Sequence, residues 1–140
     1  MILHFNYEEI RALKAGARAF LGQEVPASAP VLAPPAVRAH VEDLLPRLEG
    51  DISLSTLQEL RNVRAAVAAI VKCLRVDMES MVVATHAADE VAVSAYFDFA
   101  HVFTVAHRIS EMMAEMEGLI ELVSGEAPSL ETARTFLFPD

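Results

Sequence analysis

Between Gly50 and Gly118 the chain contains no glycine and no proline, although it carries 5 of one and 7 of the other over its 140 residues. Glycine costs a helix interior about 1 kcal/mol relative to alanine, and proline about 3 kcal/mol. Their exclusion from 51–117, with alanine, leucine, methionine, glutamate and arginine filling the interval, predicts almost uninterrupted α-helix. Other absences exclude whole classes of function. A single cysteine, Cys73, rules out an internal disulfide. Lys and Arg number only 11 against 20 Asp and Glu, and tryptophan is absent. A formal net charge of −9 therefore argues against a nucleic-acid binder, since phosphate neutralisation needs a basic surface. No uncharged apolar run approaches the ~20 residues of a membrane span. The longest uncharged stretch, 25–37, carries four prolines and reads as a linker. The opening residues 1–6 have neither the basic nor the long apolar segment of a secretory leader, so a cytoplasmic location is the expectation. Gly-rich phosphate loops, zinc-type Cys/His spacing and Ser-His-Asp order are missing, which weighs against an enzyme.

What is present is apolar and acidic. Hydrophobic residues make up 54 % of the chain and the mean hydropathy is +0.34, high for a soluble chain of this length. Part of that excess is expected to meet a partner: a second copy in a homodimer, or a basic protein drawn to the acidic charge. Basic residues gather at Arg61, Arg64, Lys72 and Arg75, and acidic ones at Glu111, Glu115, Glu117, Glu121 and Glu126. Two solvated faces explain this at least as well as an ion-pair register between antiparallel helices, because exposed pairs contribute little.

The first helix announces its start three times over. Asn6 is a good N-cap, Glu9 stands where a capping-box acid belongs, and Phe5 and Ile10 hold the positions of a hydrophobic staple. Helix is expected over 7–21, stopped by Gly22. Residues 23–34 read as a Pro/Ala-rich linker, followed by a helix opening at Pro35, kinked or restarted at Pro46 and ended by Gly50. Residues 2–5 and 52–54 alternate apolar and polar, so a short two-stranded ribbon between them is expected. Ser55 and Gln58 read as a second capping box, opening a helix with an apolar face from Leu57 to Val82 and with Ala66, Ala69 and Cys73 opposite. A further amphipathic pattern runs from Val91 to Val123, and a short last helix is expected from Ser129.

One continuous helix over 55–123 would be ~100 Å long, against roughly 40 Å for a compact domain of this size. The chain is therefore expected to turn near 85–90, giving an antiparallel hairpin of about 55–85 and 89–123. A competing pattern lies in Val91, Val93, Ala95, Phe97, Phe99, Phe103 and Val105, which alternate with period two as a strand would. The helical alternative requires Phe97 and Phe103 to occupy a second face, against a neighbouring helix or subunit.

Few residues suggest chemistry. Asp98 falls inside the apolar stripe on a helical projection, where a carboxylate needs a charge partner, hydrogen bonds or a cation. His101 lies one turn on and His86, Asp89 and Glu90 nearby. The Asp98/His101 spacing resembles the Glu-x-x-His device of di-iron bundles, which requires a second copy that this chain lacks. His86, Asp98 and His101 are thus the candidate metal ligands, with pairing of Asp98 to His101 or to an arginine as the structural alternative. Cys73 on a helix reads as a small packed residue, and Met78, Met81, Met112, Met113 and Met116 as core.

The reading is one all-α domain over 1–140, a bundle of four to five helices built on the long hairpin, with no cofactor assigned. The expected role is a small acidic interaction protein: an adaptor, an inhibitor or immunity-type factor, or an assembly subunit. The alternative is a helical-bundle metal- or small-ligand-binding protein centred on Asp98 and His101.

Overall fold

The computed structural model describes residues 1–22, 34–85 and 90–124. Its elements are β1 (Ile2–Leu3), α1 (Tyr7–Phe20), α2 (Pro35–Leu44), β2 (Ile52–Ser53), α3 (Leu57–Thr85) and α4 (Glu90–Ser124), with a 3-10 turn at Leu45–Arg47. This is the expected all-α bundle on an antiparallel hairpin, clipped by a two-stranded ribbon. Most of the linker at 23–34, the hairpin turn with His86 and Asp89, and the segment carrying the expected last helix lie outside the described residues.

Each start signal in the sequence has a geometric counterpart, with one displaced. The Asn6 carboxamide accepts from the Glu9 amide at 2.8 Å, and the Glu9 carboxylate accepts from the Asn6 amide at 2.9 Å, closing the capping box of α1. Phe5 and Ile10 pack half-buried against the core, as a staple should. At the other end Gly22 takes φ 73°, the left-handed conformation that favours glycine, and its amide reaches the Ala19 carbonyl. The cap of α3 sits one residue later than the Ser55–Gln58 box: the Thr56 hydroxyl accepts from the Glu59 amide at 3.0 Å, and the Ser55 amide donates to the Glu59 carboxylate at 3.0 Å. Ser is the slightly better intrinsic cap of the 55–56 pair, but Glu59 decides the register because its carboxylate outcompetes Gln58, which turns to Asn62 instead.

α2 opens on Pro35, whose fixed φ suits the first helical position, and Pro46 converts its end to the 3-10 turn. The chain then folds back as β2. The ribbon pairs Ile2 with Ser53 and Leu3 with Ile52, and the Leu54 amide extends it onto the Met1 carbonyl at 2.8 Å. Alternation places Leu3 and Ile52 in the core and leaves Ile2 outside. By this pairing the amino terminus is fastened beside the start of α3.

α3 is the central element, packed against α1, α2 and α4. Ala66 and Cys73, assigned from the sequence to its outer side, are 0 % and 2 % exposed. A single apolar stripe misplaces them because three helices together cover most of the circumference of α3. The closest approach is at Gly16 of α1, where an added Cβ would lie 2.5 Å from the Ile70 methyl and 3.0 Å from Leu74. Here glycine serves packing rather than conformational freedom. Residues 91–105 are helical, so the period-two alternation was an accident of placing Phe and Val on two helix faces. The charged clusters of α3 and α4 behave mainly as solvated faces: Lys72, Arg75, Glu115 and Glu121 are exposed, while Arg64 turns toward the Met113 sulfur.

Two glycine substitutions separate packing from propensity. Gly16→Val should lower the free energy of unfolding by about 1–3 kcal/mol through overpacking against Ile70. Gly118→Ala, with nothing within 4 Å of the new methyl, should raise it by about 0.5–1 kcal/mol. Urea denaturation of the two variants beside the parent measures both signs.

Candidate functional site

Polar groups in this protein concentrate where α1 meets α4. Glu9 is 3 % exposed, and Arg108 reaches it with two nitrogens, Nη2 to Oε2 at 2.6 Å and Nη1 to Oε1 at 3.3 Å. The same Nη1 donates to the His4 carbonyl at 3.0 Å. Burial pushes the Glu9 carboxyl pKa up, but the Arg108 hydrogen bond and charge, the Asn6 amide and the nearby His101 together bring it below its ordinary value of 4.5. One carboxylate thus caps α1 and binds α4. Neither residue was singled out as a pair in the sequence, because 99 positions separate them; the visible signal was only that Glu9 had a capping role.

Two residues further along α1, Arg11 bridges Glu8, at 3.1 Å, and Asp98 of α4, at 2.8 Å. Asp98 therefore has an arginine as its partner, one of the alternatives weighed from the sequence. Its side chain is 16 % exposed, at the margin of the core-facing stripe. Both carboxylates hold the Arg11 guanidinium charged, first through hydrogen bonds and then through charge. His101 lies beside this bridge and lines an open cavity of about 510 Å³ between α1 and α4, walled also by Arg11, Val93, Ser94 and Phe97. Of the three metal candidates, Asp98 and His101 come to the same region, and His86 falls outside the described residues. No group of three or more His, Cys, Asp or Glu among the described residues could hold a metal ion. Cys73 offers no nucleophile: burial, aided by the charge of Asp77, pushes its thiol pKa up to about 11, so it stays protonated at neutral pH.

The outer face of α4 has the opposite character. At 100° per residue, positions 93, 96, 97, 100, 103, 104 and 107 share one side of the helix, away from buried Val102, Val105, Ile109 and Met113. Val93 is 38 % exposed, Tyr96 and Phe97 54 % each, and Phe103 55 %. Their rings support one another within the helix: Tyr96 and Phe97 meet edge to face with centroids 5.8 Å apart, and Phe103 rests against half-buried Phe99 at 5.8 Å. Thr104 returns its hydroxyl to the Ala100 carbonyl at 2.9 Å, which leaves its methyl outward. Ahead of His107 and Glu111, which pair at 3.1 Å, the stripe holds no charged side chain. This is the second face that Phe97 and Phe103 required, and none of the described elements covers it.

No family model, curated protein or solved structure matches this chain. Among the described residues no helix is long and apolar enough to cross a membrane.

The Glu9–Arg108 pair has a measurable pH signature. With its folded pKa below 4.5, ionised Glu9 stabilises the fold above that value, and the contribution is lost as pH falls through the folded pKa. Arg108→Met should cost about 1–3 kcal/mol near neutral pH, less than a fully buried pair because the arginine is 42 % exposed. Urea unfolding at a series of pH values should show the difference between parent and variant shrinking below pH 4.5.

Proposed function

We propose that this protein is a small acidic helical interaction protein, an adaptor, inhibitor or assembly subunit, that works through the outer face of α4 in the cytosol. The observation that carries the reading is the run of Val93, Tyr96, Phe97 and Phe103, 38–55 % exposed on a single helix face opposite the core. Isolated exposed apolar residues are ordinary, but a contiguous aromatic stripe without charge is the composition of an interface centre. Aromatic side chains supply contact area at low entropic cost, which is why they dominate binding energy at such surfaces. The rest of the molecule supports a binding role by its chemistry: a protonated, buried thiol and arginines neutralised by carboxylates form rigid scaffold rather than reacting groups.

A second reading, small-ligand binding, has one observation in its favour, the cavity of about 510 Å³ at Arg11, Phe97 and His101. An aromatic wall with a few polar groups is the composition of a ligand pocket. A fragment screen by thermal shift, run on the parent and on His101→Ala, should return compounds that raise the melting temperature of the parent alone; equal shifts in both would remove this reading.

The leading reading is tested on the native complex. Isolated from its own host, the parent chain should run well above its 15.3 kDa mass, and a Phe97→Ser/Phe103→Ser variant should lose the associated mass with its helical circular dichroism unchanged. A native complex indifferent to these substitutions would refute α4 as the working surface.

A further inference from the structure

We propose that the occupant of the α4 outer face is a second copy of this chain, packed as an antiparallel α4–α4 pair about a twofold axis at Ala100. The inference rests on the reading of α4 as an interaction surface and names its partner.

Three features of the stripe favour a copy over a basic protein. The first is charge. Between Glu90 and Glu111 the only carboxylate is Asp98, and it faces inward to Arg11. A basic partner drawn by the net charge of −9 would find carboxylates only at the edges of this face, Glu8 and Glu90 beside Phe97 and Glu111 beyond His107, and none at its centre. The second is self-complementarity. A twofold axis at Ala100 sets Phe97 opposite Phe103 of the second copy, Tyr96 opposite Thr104, and Val93 opposite His107, so each large side chain meets a partner and the small residue sits at the crossing. Isologous contact places residue i against j and j against i, as these pairings do, and a small residue at the centre lets the helices approach closely. The third is area. The exposed parts of Tyr96, Phe97, Phe103 and Val93 amount to roughly 350–400 Å². With Ala100, Thr104 and His107 between and beside them, each copy would bury roughly 600 Å², the low end of specific interfaces. Dissociation at low micromolar concentration or above is the corresponding expectation. A further exposed apolar group, Leu119, Leu122 and Val123, adjoins the end of the described residues.

Salt distinguishes the two partners physically. Two copies of charge −9 repel at long range, so screening strengthens their association, whereas a contact with a basic protein weakens as salt rises.

The test is sedimentation velocity on the purified full chain across a concentration series. The parent should shift from 15.3 kDa toward twice that mass, more readily at high than at low salt, while Phe97→Glu and Phe103→Glu should remain monomeric with their helical circular dichroism unchanged. Ala100→Cys should give a self-linked dimer under mild oxidation, since residues on the axis approach to disulfide distance; Cys73, at 2 % exposure, does not compete. A parent that stays monomeric throughout, a dimer that survives both glutamates, or a dimer that Ala100→Cys fails to trap would each overturn the proposal. A monomeric chain whose native complex still depends on Phe97 and Phe103 would overturn self-pairing and leave the interaction surface standing; a native complex indifferent to them removes both.

Discussion

The fold depends on a carboxylate taken out of water at the start of α1. Glu9 is buried, and a buried carboxylate is tolerated only when its oxygens are bonded and its charge is met. It satisfies this by serving two masters: the Asn6 amide behind it and the Arg108 guanidinium on α4. Because Arg108 also holds the His4 carbonyl, the turn between β1 and α1 is tied to the middle of the hairpin's second arm. The pairing of β1 with β2 then fastens the same turn beside the start of α3. Two long arms and the amino-terminal segment are thereby referred to one point. Lost solvation at Glu9 is offset by several hydrogen bonds at once, which makes the position intolerant of partial substitution.

From that point the arms extend farther than the covering helices can follow. α1 and α2 have 14 and 10 residues, about 21 and 15 Å of helix, against 29 and 35 residues, about 43 and 52 Å, for α3 and α4. α3 receives neighbours on three sides and buries most of its circumference. Among the described elements α4 packs chiefly against α1 and α3, both on its inner side, and its outer aromatic positions are exposed. The exposed stripe is therefore a consequence of helix order rather than length: α1 runs beside it, reaching Asp98 and Arg108 from the inner side, and no remaining described helix lies on the outer side. Tyr and Phe stand at that place, where Glu or Lys would be the ordinary occupants of a free helix face, and the proposed interaction role rests on that observation.

The candidate site was legible only in part. Asp98 stood out because a helical projection puts a carboxylate into an apolar stripe, and the structure answers with Arg11, 87 residues away. Local spacing favoured His101 as its partner, since one turn of helix guarantees proximity; a bidentate-capable guanidinium from another helix is the stronger donor and prevails. Phe97 and Phe103 were readable as belonging to a second face, but their exposure depends on what α1 and α2 fail to reach. The shift of the α3 cap from Ser55 to Thr56 turns on the residue three positions on, the Glu59 carboxylate being a stronger acceptor than the Gln58 amide.

By itself the sequence determined whatever is enforced over short range: helix over the glycine- and proline-free interval, the capping box at Asn6 and Glu9, the stop at Gly22, and the reversal of a rod too long for its domain. These follow from backbone sterics and from hydrogen bonds spanning three or four residues, which are properties of neighbours along the chain. Tertiary structure alone decided that Glu9 would be neutralised by Arg108, that Gly16 would admit Ile70, that Ala66 and Cys73 would be core, and that the aromatic face of α4 would remain open. Those outcomes are set by which surfaces meet, and burial at any one of them depends on the lengths and order of helices dozens of residues away.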